Sequence, residues 1–239
     1  MNESRKVLVV VPAYNEAGTV RGVVEEILAL GDDSLRVLVV DDGSTDQTRR
    51  EAARCGVWVA SHVFNLGIGG AVQTGFKWAR QNDFDVVVQV DGDGQHDPRY
   101  LKELLGPLGR GEADLVVGSR FIPPYSDYQS SLVRRLGIHF FARLISLLTR
   151  CRVTDPTSGF RACNKKMIRL FAEYYPQDFP EPEAIAMARR YRARVKEVPV
   201  QMRPRGAGQS SIRYLNTLYY MIKVTLAVML DRLKRGRTL

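Results

Sequence analysis

Five short, valine-rich runs constrain what this chain can fold into: Val7 to Val11, Val37 to Val40, Val57 to Ala60, Val86 to Val90 and Leu115 to Val117. Each is continuous in apolar residues, and stretches of helical length separate them. A continuous run marks a strand buried on both faces, and strands alternating with helices mark a largely parallel sheet. The first 120 residues therefore read as a doubly wound α/β unit.

In such sheets ligands bind beyond the carboxyl ends of the strands. Those ends carry Pro12-Ala13-Tyr14-Asn15-Glu16, Asp41-Asp42-Gly43-Ser44-Thr45-Asp46, Asp91-Gly92-Asp93-Gly94-Gln95-His96-Asp97 and Gly118-Ser119-Arg120. Three acidic loops and an arginine thus gather on one edge. Helix capping accounts for Ser44-Thr45-Asp46, but not for four polar ends together. Asp91 and Asp93 close a strand, where a lone buried carboxylate costs several kcal/mol or takes up a proton. A hard divalent cation relieves this, with Asp93 and Gln95 as ligands and Asp91 close by; Asp-Gly pairs also form plain turns. Asn65-Leu66-Gly67-Ile68-Gly69-Gly70 lacks the spacing of a dinucleotide fingerprint or a P-loop and reads as close helix packing beside the site.

The 239 residues suit one large domain with elements appended at the C-terminal end. No run of 18 uncharged apolar residues occurs, which disfavours a membrane span, and the N-terminus does not read as a signal peptide. The three cysteines are widely spaced, with no Cys-x-x-Cys, and fit reduced thiols. A net charge of +9 predicts attraction to an anionic partner, and charge alone does not choose among nucleic acid, membrane and phosphorylated substrate.

Taken in order, Val11-Pro12-Ala13-Tyr14-Asn15-Glu16, Asp41-Asp42-Gly43-Ser44, Asp91-Gly92-Asp93-Gly94-Gln95-His96, Gly118-Ser119-Arg120, Asp155-Pro156-Thr157-Ser158-Gly159-Phe160-Arg161 and Arg205-Gly206-Ala207-Gly208-Gln209-Ser210 resemble a known family. It is the inverting family 2 glycosyltransferases of GT-A fold, and within them the dolichyl-phosphate mannosyltransferase-like, or polyprenyl-phosphate, group. The resemblance covers most of residues 6 to 212. It implies a GT-A catalytic domain over 1–212, a mostly parallel sheet flanked by helices, and C-terminal amphipathic interface helices. It implies that Pro12, Ala13, Tyr14, Glu16, Val40, Asp41, Asp42 and Gly92 hold the nucleotide, and that Asp91, Asp93 and Gln95 hold Mg²⁺ or Mn²⁺. Asp91, Asp93, Arg120 and Arg205 would act on the sugar diphosphate. Arg120, Arg134, Arg135, Ser158 and Ser210 would meet the acceptor phosphate.

The residue types suit this chemistry. A departing nucleoside diphosphate gathers negative charge, which a metal and arginines stabilise where it appears. A lipid phosphate is already ionised and attacks without a strong base, whereas a sugar hydroxyl needs one within hydrogen-bond reach. Two departures stand out. Ser211 replaces the lysine that follows the Arg-x-x-Gly-x-Ser motif in the mannosyltransferases, and Asp178-Phe179-Pro180-Glu181-Pro182-Glu183 resembles small bacterial relatives. Glu181 or Glu183 falls where hydroxyl-transferring members place a base, which keeps a glycan acceptor open; the same prolines also suit a rigid helix start.

Two segments suggest a membrane surface. From Leu132 to Arg150, helical spacing puts Arg135, His139, Arg143, Ser146 and Arg150 on one stripe and Phe140, Leu144 and Leu147 elsewhere, with Arg134 free to reach a lipid phosphate. From Leu215 to Arg235 a narrow polar stripe leaves a wide apolar face, so residues 213–239 would meet the interface, a small membrane protein or a second copy. The expected enzyme is peripheral, at the cytoplasmic face, with a nucleotide-sugar donor, a polyprenyl phosphate acceptor and an anionic membrane as partners. The acidic loops would repel nucleic acid and would serve no purpose in a non-catalytic scaffold.

Overall fold

The computed structural model describes residues 5–124 and 132–203, together with 223, 225, 226 and 229. Strands β1 (Val7–Ala13), β2 (Leu35–Asp41), β3 (Trp58–Ser61), β4 (Val86–Gln89), β5 (Leu115–Ser119), β6 (Arg161–Asn164) and β7 (Val195–Pro199) form one sheet in the order β3-β2-β1-β4-β6-β5-β7. All neighbours pair in parallel except at β6, which runs antiparallel to both β4 and β5. The sheet is flanked by α1 (Val20–Leu28), α2 (Thr48–Ala53), α3 (Gly67–Gln81), α4 (Leu101–Gly109), α5 (Leu132–Thr149), α6 (Lys165–Glu173) and α7 (Pro180–Arg190).

The period-two geometry of a strand sorts the valine runs onto two core layers. In β1, Leu8 and Val10 face Phe76 of α3, Phe171 of α6, Ile185 of α7 and Ile145 of α5. Val7, Val9 and Val11 face Val24 and Ile27 of α1 and Leu101 and Leu104 of α4. Helix α3 lies directly on β1, where a Cβ on Gly75 would come within 2.4 Å of Val10 Cγ1. Gly69 is as tight, with its would-be Cβ 2.4 Å from the Pro176 carbonyl oxygen. The glycine-rich start of α3 is a packing device, in line with its sequence.

The structure departs from the expected elements in three places. Strand β3 starts one residue later than its apolar run and is an exposed edge strand, with Trp58 leaning on Trp78 at 5.9 Å between ring centroids. Strands β6 and β7 had no continuous apolar run to announce them: β6 opens on a buried arginine, and β7 reads Val-Lys-Glu-Val-Pro and is only partly buried. Residues 151–154 run along the outer side of β7, where the Thr154 N–H donates to the Glu197 carboxylate at 2.8 Å.

The amino ends of the strands are pinned by charge. Asp114, just before β5, accepts from the Arg194 N–H at 2.7 Å, the Arg194 guanidinium at 3.0 Å and the Asn164 amide at 2.8 Å. Asn164 also caps α6 by accepting from the Met167 N–H. Burial disfavours ionisation of Asp114, but the Arg194 and Asn164 hydrogen bonds more than offset it and hold the carboxyl at about 2. Because the folded value lies below the unfolded one, the stabilisation is present above about pH 4 and is lost as pH falls toward 2. Acid titration of the unfolding free energy is expected to show this loss, and Asp114→Asn is expected to flatten it.

Candidate active site

The loops after β1 and β2 are laced into one wall. Asn15 takes a left-handed backbone, φ 55°, that lets its N–H donate to Ser44 Oγ at 3.0 Å while its Oδ1 accepts from the Thr45 N–H at 2.9 Å. The Glu16 N–H donates to Thr48 Oγ1 at 2.8 Å, and Asp46 accepts from the N–H groups of Ala17 and Thr48, fixing the start of α2. Pro12, Ala13 and Val40 close their strands, the Ala13 carbonyl accepting from the Asp42 N–H and the Pro12 carbonyl from the Gly92 N–H. Tyr14 stands exposed at the rim.

Asp41 and Asp42 lie deeper than the sequence suggested. Asp41 is buried and accepts from the Ser44 N–H at 3.2 Å. Asp42 is buried beneath the start of α3, accepting from the Leu66 and Gly67 N–H groups at 2.9 Å each and from His62 Nδ1 at 2.7 Å. A carboxylate against a helix amino terminus is electrostatically favoured, so Asp42 anchors the start of α3 directly. Gly43 allows the close approach: φ is +71°, and a Cβ would sit 2.7 Å from the Phe64 carbonyl carbon.

The loop after β4 carries the acidic centre. Asp91 Oδ1 accepts from the Gln89 amide at 2.9 Å, and the Asp91 N–H donates to His96 Nδ1 at 3.0 Å. With Nδ1 accepting, the His96 proton sits on Nε2, which faces Asp91 Oδ2 at 3.7 Å. The buried imidazole stacks on Phe160, 4.8 Å between centroids and 10° apart in plane. Gly159 backs Asp91, since a Cβ there would lie 2.8 Å from Asp91 Oδ2. Asp93 is buried and accepts from the Gln95 N–H at 3.0 Å, while Thr19 Oγ1 donates to the Gly92 carbonyl at 2.7 Å. Arg203 closes the loop from outside: its N–H donates to the Gln95 carbonyl, and its guanidinium pairs with Asp97 and Glu26.

These residues fit a small hard cation. Asp91, Asp93 and Gln95 bring only oxygen donors within one turn, and Asp91 keeps part of its carboxylate open to the cleft. Among the described residues no three His, Cys, Asp or Glu side chains gather into a metal cage of their own, so further ligands would come from diphosphate or water.

Arg120 has a different surrounding from the one expected. It is buried, and its guanidinium forks onto Asp155, with Nε and one terminal nitrogen each 2.7 Å from a carboxylate oxygen and a further bond to Thr157. Glu197 in turn accepts from the N–H groups of Thr154 and Asp155. Arg120 here shapes the loop before β6. That loop holds Ser158, buried, with its hydroxyl accepting from the Phe160 N–H at 3.3 Å. Arg161, also buried, donates to the carbonyls of Ser158 (2.6 Å), Glu181 (2.6 Å) and Pro156 (3.2 Å). Glu181 lies in the first turn of α7, where burial raises its pKa and the Arg161 guanidinium opposes that rise; the charge of Asp91 adds to it. Glu183 shares the first turn of α7. Arg134 and Arg135 lie on the backbone of α5 beside residues whose side chains are described only from Phe140 onward. Arg205, Ser210, Ser211 and most of the 213–239 segment lie outside the described residues.

Sequence reasoning quoted His96, Asp155, Gly159 and Arg161 within motifs without giving them work. Only His96 stands in the acidic turn itself; Asp155, Gly159 and Arg161 sit in a separate motif, and their partners are met only when the chain folds back.

A family model described as glycosyl transferase family 2 matches residues 8–171. The chain is 30% identical to the undecaprenyl-phosphate mannosyltransferase of Micrococcus luteus over 87% of each chain. It is 29% identical to the UDP-N-acetylglucosamine–dolichyl-phosphate N-acetylglucosaminyltransferase of Methanococcus voltae over 82% of this chain and 84% of that one. Among solved structures it resembles glucosyl-3-phosphoglycerate synthase from Mycobacterium tuberculosis in complex with Mn²⁺, UDP-glucose and phosphoglyceric acid. That likeness has a TM-score of 0.72 at 25% identity and covers 95% of this chain and 79% of that one.

Removing one partner of the buried Arg120–Asp155 pair strands the other charge, which costs about 3–5 kcal/mol. Asp155→Ala is expected to lower the unfolding free energy by that amount, read by circular dichroism as a lower urea midpoint with little change in slope.

Proposed function

This chain belongs to glycosyl transferase family 2 and has its GT-A fold, and from that premise we propose that it transfers a sugar, with inversion, from a UDP- or GDP-linked donor to a polyprenyl phosphate at the cytoplasmic face of a membrane. The catalytic domain takes in residues 1–212, and residues 213–239 serve the interface. The observation that carries the reading is the Asp91–Asp97 turn, open to the cleft at Asp91 and set by Gln89, His96 and Gly159. The names of the polyprenyl-phosphate relatives support the acceptor class.

In this reading Pro12, Ala13, Tyr14, Glu16, Val40, Asp41, Asp42 and Gly92 form the nucleotide wall, some by contact and Asp42 by holding α3 against it. Asp91, Asp93 and Gln95 would hold Mg²⁺ or Mn²⁺, which, when bound, neutralises the charge that builds on the departing diphosphate. Arg205 would add positive charge for the phosphates, and Arg134, Arg135, Ser158 and Ser210 would receive the acceptor phosphate, with Arg120 holding the loop that carries Ser158. A phosphate oxygen forms a bond to the anomeric carbon from the face opposite the leaving group. The bond from that carbon to the diphosphate oxygen breaks, and the nucleoside diphosphate leaves with the electron pair. No proton needs removing from an ionised phosphate, so the site's main task is to bring two anions together.

One observation favours a second reading. Glu181 shares the electrostatic field of Asp91 and holds its proton more tightly than an ordinary carboxyl, burial being the main cause. A group so placed suits a base for a glycan hydroxyl.

Transfer of radiolabelled sugar from a panel of UDP- and GDP-sugars into undecaprenyl phosphate tests both. Label in an acid-labile, organic-extractable lipid is expected; water-soluble product that disappears with Glu181→Gln would instead establish the hydroxyl acceptor. Because Gly159 backs Asp91, Gly159→Ala is expected to weaken Mn²⁺ binding about 10- to 100-fold by calorimetry while leaving the cooperativity of unfolding intact.

A further inference from the structure

We propose that the interior cavity beside Gln89 binds one water molecule, and that this water fixes the Gln89 amide with its nitrogen toward Asp91. The positioning half of the proposal rests on the reading of Asp91 as a cation ligand; the water site does not. The cavity measures about 10 Å³, room for a single water. Phe76, Val87 and Phe171 give it apolar walls, and Gln89, Arg161 and Tyr175 give it polar ones. All six are buried. A purely apolar cavity stays dry, whereas two to four polar groups around such a space hold a water.

The fold brings the three polar groups together. Gln89 and Arg161 stand opposite each other where β4 pairs with β6, so their side chains leave the same face of the sheet. Tyr175, just past α6, is wedged over that face, its ring centroid 5.4 Å from that of Phe76 and 5.1 Å from that of Phe171.

Each group has bonding capacity left over. The Gln89 amide meets Asp91 Oδ1 at 2.9 Å. An ionised carboxylate only accepts, so the atom facing it is the amide nitrogen and the Gln89 oxygen points elsewhere. Among the described residues that oxygen accepts no hydrogen bond, and the Tyr175 hydroxyl makes none. Burial pushes the Tyr175 hydroxyl pKa up, the Arg161 guanidinium opposes the rise, and the charges of Glu181 and Asp91 add to it. The hydroxyl therefore keeps its proton as a donor, within the field of Arg161 and of the acidic turn. Arg161 gives one N–H each to the carbonyls of Ser158, Glu181 and Pro156, and a guanidinium carries five.

One water completes all three: it accepts from the Tyr175 hydroxyl and from an Arg161 N–H, and donates to Gln89 Oε1. With its oxygen so engaged, the amide cannot turn over and set that oxygen against the Asp91 carboxylate, where two acceptors would repel. Gly159 leaves space for this arrangement, since a Cβ there would come within 3.0 Å of Gln89 Nε2. Tyr175 is thus a positioning residue that acts on Asp91 through the water and Gln89.

A high-resolution crystal structure of the full chain tests the water site. One density peak is expected within hydrogen-bond distance of Tyr175 Oη, Gln89 Oε1 and an Arg161 nitrogen; no peak, or Gln89 bonded directly to Tyr175, would overturn it. Calorimetry with Mn²⁺ alone tests the positioning role. Tyr175→Phe is expected to weaken Mn²⁺ binding about tenfold, Gln89→Leu at least as much, and Tyr175→Phe is expected to add no further loss in the Gln89→Leu background. Parent-like binding by Tyr175→Phe, or an undiminished further loss in that background, would overturn the role, the latter because Tyr175 would then act by packing alone. A parent chain that binds no Mn²⁺ would count against the metal reading of the turn, and the density peak would still decide the water site.

Discussion

The site depends on one buried guanidinium. Arg161 enters the sheet at the first residue of β6, between Gln89 of β4 and Val117 of β5, where a charge without hydrogen bonds would be prohibitive. Its donors are met by main-chain carbonyls of Pro156, Ser158 and Glu181, so satisfying the charge also fixes the path of the preceding loop and the start of α7. Gly159 and Phe160 ride on that path. One lies under Asp91 and the other under His96, so a demand created in the interior becomes a constraint on the carboxylate that faces the cleft.

The acidic turn is therefore held from several independent directions: by Gln89 on its own strand, by Gly159 and Phe160 just before β6, by Thr19 at the start of α1, and by Arg203 from the segment after β7. A turn so constrained has little freedom to reorganise when charge develops beside it. That is what electrostatic catalysis requires of a polar site.

What the sequence made legible follows from what is local. The valine runs of β1, β2, β4 and β5 declare themselves because burial on both faces leaves no room for polar residues, and the loops after them are conspicuous because polar residues follow abruptly. Strand β6 could not be read, since four residues beginning with arginine carry no period. Its place in the sheet is set by partners far away in the chain. The same reason hid the surroundings of Arg120 and Asp42. Each was recognisable as a charged residue at a strand end, but a buried Asp155 or the N–H groups of Leu66 and Gly67 can be assigned to it only once the chain has been folded back. On α5, Arg143 and Arg150 stand exposed as their spacing predicts, but Ser146 bonds inward to the Ala142 carbonyl and the Val153 N–H while Leu147 is exposed, because the core that α5 packs on, and not the polarity of its own residues, decides which side is inward.

The antiparallel strand also divides the protein's labour along the chain. Strands β3, β2, β1 and β4 come from residues before 98, and strands β6, β5 and β7 from residues after it. The two meet where β6 lies against β4 and Gly159 lies against Asp91. In the proposed reading the nucleotide wall belongs to the earlier half and the acceptor side to the later one, so the later half can change with the molecule that receives the sugar while the donor keeps the earlier half fixed.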